Sequence, residues 1–398
     1  MALKVEVYEK EKVRPSSPTP QTLRYHKLSL LDVLAGHFYG THVLFYPSGA
    51  GPRRHDYDEL KESLSKTLSI LYPLAGRLKD GSIIIECNDE GAVFVRANVT
   101  NYDLSEFLGR HPKQEDLRQL LPLDPYPDAI HPAMPMSGVQ VNRFRCGGTA
   151  VGFCTWHGVV DGIGMATLYN TMAAINRGER RIKNQYSQPE HPRLLSRVAA
   201  LSAFVWAAVI RATLVANPTL KTHLLKHYVN LRNKLDPPLP SLCLGNIVQG
   251  TESVWEFHGS TEQVTGRWLV GRVVEAMDKV TKDYVREMHT EGRFLRSILA
   301  RRSIDHSKGE TKVLNISSLC NLPVFEVDFG WGKPIWNGLP QTLLDLALFV
   351  DTEDGGVEVW IGLENEVMCN LDMDAEFQAF VSFAYVVFES SCCLSSAL

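Results

Sequence analysis

Between Tyr57 and Leu71 the apolar residues return every three or four positions, with Leu60, Leu64, Leu68 and Leu71 on one face. That spacing predicts a helix, with Asp56 or Asp58 placed to cap its first turn and Pro73 to stop it. The segment PSSPTPQTL upstream is a Pro/Ser/Thr-rich connector. Beyond the helix the period changes. The short runs SIIIEC, AVFVRA, GVQVNRFRC and TAVGFCTW are rich in β-branched and aromatic residues and bounded by turn formers, so they predict strands. After the last of them, His157 to Gly162 reads as a strand end turning into a helix over Gly162 to Ile175.

The polar, charged stretch NRGERRIKNQYSQPEHP then reads as a linker over 177–193, separating one domain at 1–176 from a second at 194–398. The second half begins with an apolar helix from Leu194 to Val215. A strand HYVNLR, a turn DPPLP and one long helix from Val270 to about Leu299 follow. Strands VLNISSL, LALFVDT and VEVWIGL and a last helix from Asp374 to Glu389 complete it. Strands interleaved with helices predict an α/β fold in which each half holds a mixed β-sheet flanked by helices. No internal sequence repeat is present.

At 398 residues the chain suits two cores of similar size. A net charge of -4 gives no basic excess, which argues against a nucleic-acid partner. The most apolar stretch, Val198 to Val215, is interrupted by Ser202 and Arg211 and reads as a buried helix, so no membrane partner is expected. The opening MALKVEVYEKEKVRP alternates charges and lacks the apolar centre of a leader. The 8 cysteines are scattered with no CxxC, which reads as reduced core thiols and no metal site. Together these place the protein in the cytoplasm.

Two motifs carry candidate chemistry. His157 stands at a strand end, where an imidazole is held still and projects into a cleft, and its ordinary pKa suits a general base near neutral pH. Asp161, four residues on, either orients the ring or braces the turn. With 13 histidines in the chain, about 0.7 His-x-x-x-Asp matches are expected by chance, so this motif alone decides little. Asp328-Phe329-Gly330-Trp331-Gly332 is sharper, with a chance expectation on the order of 10⁻⁴. It offers no nucleophile and reads as a glycine-permitted turn around a packed indole. No Gly-x-Ser-x-Gly elbow and no cysteine in a nucleophile setting point to a hydrolase.

HGVVDG and VDFGWGKP together resemble the HxxxD and DFGWG motifs of the plant BAHD acyltransferases. The segments PSSPTPQTLRYHKLSLLD, LSKTLSILYPLAGRL, FRCGGTAVGF, VNLRNKLDPPLP and GLPQTLLDLALFVDTEDGGVEVW extend the likeness, in family order, over nearly the whole chain. The closest likeness is to the branch of vinorine synthase and salutaridinol acetyltransferase, which moves small acyl groups onto hydroxyls of specialised metabolites.

The resemblance implies a chloramphenicol acetyltransferase-like pair of domains with a channel between them. Acyl-CoA, acetyl-CoA above all, is the implied co-substrate, with a small-molecule alcohol as acceptor and no permanently bound cofactor. An amine acceptor, or a larger aromatic acyl-CoA, is the competing expectation. His157 is implied as the general base in a monomer. Asp161 pairs with Arg232 and, with Gly162, supports the turn, while Asp328, Gly330, Trp331 and Gly332 are structural near the CoA side. Ser317 and Ser318 match positions that contact CoA or face the channel. Three residues depart from the pattern: Leu319 and Asn321, where Trp and Arg are frequent, and Trp156, which strand alternation turns away from His157 into packing. The same alternation puts Phe153 and Thr155 on the face of His157, where they are expected to close the donor-side space.

Overall fold

The computed structural model describes residues 2–381 except 80–82, 130, 180–195, 241–242, 262–263, 291, 297–310, 342–343 and 353–354. Most of the expected linker, the tip of the expected long helix and the end of the last one lie outside the described residues. The first half holds strands β1 (Val5–Val13), β2 (Tyr25–Lys27), β3 (Tyr39–Tyr46), β4 (Arg77–Leu78), β5 (Ile84–Glu86), β6 (Ala92–Val99), β7 (Ser137–Phe144) and β8 (Thr149–Trp156). Its helices are α1 (Leu30–Leu34), α2 (Tyr57–Ile70), α3 (Leu104–Gly109), α4 (Gln114–Arg118) and α5 (Gly162–Asn176). In α2 the Asp56 side chain caps the backbone N–H groups of Asp58 and Glu59, and Leu60, Leu64 and Leu68 are buried.

The second half holds α6 (Arg197–Ala216), β9 (Thr222–Asn230), β10 (Val248–Glu256), α7 (Gly266–Asp278), α8 (Lys282–His289), β11 (Thr311–Ser318), β12 (Trp336–Gly338), β13 (Leu346–Asp351), β14 (Val357–Gly362), α9 (Asn365–Asp372) and α10 (Ala375–Phe380). Two mixed sheets result. The first runs β1-β6-β7-β8-β3-β12, parallel only between β6 and β7. The second runs β10-β9-β11-β13-β14, parallel on both sides of β11. Strands β2, β5 and β4 form a small third sheet.

The two large sheets are tied together by the chain itself. β12 comes from the second half but pairs with β3, setting Trp336 opposite Phe45. Trp336 in turn lies 6.0 Å, centroid to centroid, from Trp360 on β14. Helix α6 is long and apolar enough to cross a membrane. Here most of its residues are buried in the second core, and Arg211 pairs with Asp374 at 2.7 Å.

Some expectations change. The long helix from Val270 is two helices, α7 and α8, because Thr281 accepts the Tyr284 N–H and starts a new one while Val280 is buried at the joint. β9 begins at Thr222 and ends at Asn230, so Arg232 stands on a 3-10 turn instead of a strand. Strands β1, β2, β3, β4, β10 and β12 are additional. β1 shows why: it is an edge strand whose Lys and Glu residues face water, as edges that must not pair with another chain do.

Candidate active site

β8 delivers His157 to the seam between the halves. The His157 N–H donates to the Phe38 carbonyl at 2.9 Å, and its carbonyl accepts Asn246 Nδ2 at 2.6 Å. The imidazole leans on the Phe38 ring, centroids 4.8 Å apart. Burial pushes its pKa below the ordinary value, opposed by its own carbonyl, the Asp161 charge and the Asn246 amide. The ring is therefore neutral at pH 7 and able to accept a proton. Gly158 follows because the Trp156 indole occupies the space: a Cβ there would lie 2.6 Å from Trp156 Nε1. Trp156 is buried, stacked on His37 and edge-on to Tyr39, in a packing position.

Asp161 points elsewhere. Its Oδ1 accepts from Gly164 N, capping α5, and from Arg232 Nη2 at 3.0 Å. Its Oδ2 accepts from Arg232 Nη1 at 2.7 Å and from Ile247 N at 3.1 Å. Both side chains are buried, and Arg232 Nη2 also reaches the Cys243 carbonyl at 2.9 Å. Four donors occupy the carboxylate, so it clamps the α5 terminus to the second half instead of orienting the imidazole. Gly162 lets this terminus pack closely, since a Cβ there would sit 3.2 Å from both Leu319 and Leu322.

The Asp328 segment is built differently. Asp328 Oδ1 accepts the N–H groups of Gly330 (2.7 Å) and Gly332 (2.9 Å), closing a turn in which both glycines take positive φ. Trp331 is fully buried, stacked on His55 at 4.6 Å and edge-on to Tyr46 at 5.7 Å. Gly51 is the reciprocal requirement, because a Cβ there would meet the Trp331 backbone at 2.2 Å. Arg177 caps the Asp328 carbonyl and Asn176 donates to the Phe329 carbonyl. The segment is thus anchored in the first half's core, though it comes from the second half of the chain.

The transferase family model matches residues 3–194 and 181–378, both halves of the structure. The chain belongs to the BAHD transferase family. It is 31% identical to limonoid 21-O-acetyltransferase of Citrus sinensis, over 94% of this chain and 97% of that protein. With vinorine synthase of Rauvolfia serpentina the identity is 29%, covering 94% and 97%. The crystal structure of vinorine synthase matches with a TM-score of 0.77 at 28% identity, covering 92% of this chain and 96% of that one. F. sporotrichioides TRI101, solved with coenzyme A and T-2, shares the fold: TM-score 0.70, 18% identity, 89% and 98% covered. As a BAHD member the protein is an acyl-CoA-dependent acyltransferase.

Within this BAHD enzyme, Ser317 and Ser318 stand on opposite faces of β11. Ser318 is opposite Phe349 and on the helix-covered side with Leu314 and Ile316, and its Oγ accepts the Cys320 N–H. Ser317 is opposite Leu348, on the other side. The two therefore cannot both face one channel. Phe153 and Thr155 are fully buried, with Tyr169 of α5 against Phe153 at 4.2 Å, as packed residues of the first half. Two buried residues that the motifs did not single out bear on the histidine: Asn246, before β10, donates to its carbonyl, and Asp32, on α1, accepts from Asn246. The Ser-x-x-Asp box at 29–32 was a readable sign for Asp32; Asn246 had none.

Proposed function

We propose that this acyltransferase moves an acetyl group from acetyl-CoA to a hydroxyl of a plant specialised metabolite, with His157 as general base. The observation that carries the reading is the neutral, strand-end imidazole at the seam, with its neighbouring aspartate committed to Arg232. His157 takes the acceptor proton as the acceptor oxygen bonds to the thioester carbonyl carbon. The tetrahedral oxyanion collapses, the C–S bond breaks, and the CoA thiolate recovers the proton from His157. One base suffices, and it contributes about 10²–10⁴-fold; alignment of the two substrates supplies the remainder. Acetyl as the acyl group and oxygen as its acceptor follow relatives named as limonoid and stemmadenine O-acetyltransferases. The buried thiols of Cys87 and Cys154, which need no partner for packing, support a reducing compartment such as the cytosol.

The test is CoA thiol release from acetyl-, hexanoyl-, benzoyl- and coumaroyl-CoA, offered with limonoid and indole alkaloid alcohols and with matched amines. Acetyl-CoA with an alcohol is expected to give the highest kcat/KM. A benzoyl or coumaroyl preference overturns the small donor, and faster amide formation overturns the oxygen acceptor.

A further inference from the structure

For Nε2 of His157 to be the base, the proton of the neutral ring has to sit on Nδ1. We infer that Asn246 is a positioning residue that holds His157 in this tautomer, and that Asp32 fixes Asn246 for the task; the inference rests on the general-base reading above. Asp32 is buried and caps α1, with Oδ2 accepting from Ser29 N and Ser29 Oγ. Its Oδ1 is left for the second half and accepts Asn246 N at 2.6 Å and Asn246 Nδ2 at 3.0 Å. The same Nδ2 donates to the His157 carbonyl at 2.6 Å. Both targets of the amide nitrogen are acceptors only, so the amide cannot be turned over: its oxygen would face a carboxylate and a carbonyl.

This fixes where Asn246 Oδ1 goes. It is buried and has no hydrogen-bond partner, and His157 Nδ1 is also buried without one. Two complementary groups are thus left over on residues already joined through the His157 carbonyl, and pairing them satisfies both. An acceptor on the Nδ1 side selects the Nδ1–H form and leaves the Nε2 lone pair for the acceptor alcohol, as a partner on one ring nitrogen sets the role of the other. Asp161, the nearer charge in sequence, is unavailable for this task because Arg232, Gly164 and Ile247 occupy it.

The test is ¹⁵N NMR of ring-labelled histidine, with the His157 signals assigned by difference from His157→Gln, alongside kinetics with acetyl-CoA and the fastest alcohol of the panel. Wild type above pH 7 is expected to show the Nδ1–H tautomer. Asn246→Leu is expected to lose that preference and about 10–100-fold in kcat, with an unchanged KM for acetyl-CoA. Wild type in the Nε2–H form overturns the inference without any variant. Asn246→Leu with an intact tautomer and full kcat overturns it too. The underlying reading fails separately: an active His157→Gln sinks the general base, whereas an inactive one beside a normal Asn246→Leu sinks only the positioning role.

Discussion

The Asp161 turn and the Asp328 turn each combine an aspartate with glycines and tie the two halves together, yet they do so by opposite means. At Asp161 the tie is ionic: a buried carboxylate is closed on all sides by Arg232 and two backbone N–H groups. At Asp328 the tie is apolar. The carboxylate folds its own turn, and the holding is done by Trp331 and Phe329 set among Tyr46, His55 and Tyr57. An ionic clamp fixes direction, which suits the turn that aims His157. A packed indole fixes position without specifying where any reactive atom points, and no reactive group stands in that turn.

The contrast is sharpest at the residues themselves. His157→Ala is expected to lower kcat by about 10²–10⁴-fold while melting temperature and CoA binding stay at wild-type values. Turnover within tenfold of wild type would remove the reactive group from the first turn and the comparison with it. Trp331→Ala is expected to do the reverse, destabilising by about 3–5 kcal/mol while the folded fraction keeps its kcat. A Trp331→Ala protein of normal melting temperature and no activity would place the indole at the reaction instead.

The two ties should also respond differently to repair. Arg232→Met leaves Asp161 as a buried, uncompensated charge and is expected to cost about 3–5 kcal/mol. Removing both charges, with Arg232→Met and Asp161→Ala together, should recover most of this except the α5 cap, worth about 1 kcal/mol. Denaturant midpoints of the two proteins decide it; equal losses would mean that the pair is not an ionic clamp.

Acid acts on both halves. Burial pushes His42 in the first half, and His223 and His227 in the second, down to about 4. Each is neutral in the fold, and the unfolded chain binds the proton first. The stability they lend is therefore whole above about pH 6.5 and is lost as the pH falls toward 4. By pH 5 the loss is about 2 kcal/mol for each histidine. Urea unfolding at pH 7 and at pH 5 should show this loss, and equal stability at the two pH values would contradict the assignment.

Much of this was legible in the chain. Leucine spacing and Asp56 gave α2, and β-branched runs gave β6, β7 and β8, because those signals are local. Trp156 was correctly turned into packing by strand alternation alone. The fold and the family came from the resemblance, and the comparisons agree with both. The Asp161–Arg232 pairing also came from resemblance, since partners 71 residues apart leave no periodic trace. β12 was missed because three residues joining a distant sheet carry no pattern of their own. Asn246 was invisible for the same reason: its role depends on an Asp32 that lies 214 residues away.

The smallest expected effect gives the finest test of the comparison, because the same conservative change is made in both turns. Asp328→Asn keeps an oxygen that accepts the Gly330 and Gly332 N–H groups, and no cation loses a partner. Only the charge assistance goes, so the expected cost is about 1 kcal/mol, the difference between a charged and a neutral acceptor. Asp161→Asn keeps the side-chain shape as well, but its amide presents an N–H₂ where Arg232 or the Ile247 N–H needs an acceptor, and it strands the guanidinium as a buried cation. The expected cost there is about 3–5 kcal/mol. Urea unfolding of the two single variants at pH 7 measures the gap directly. Near-equal losses at the two sites would mean that Asp328 also answers a buried cation, and the division into an ionic and an apolar tie would fail.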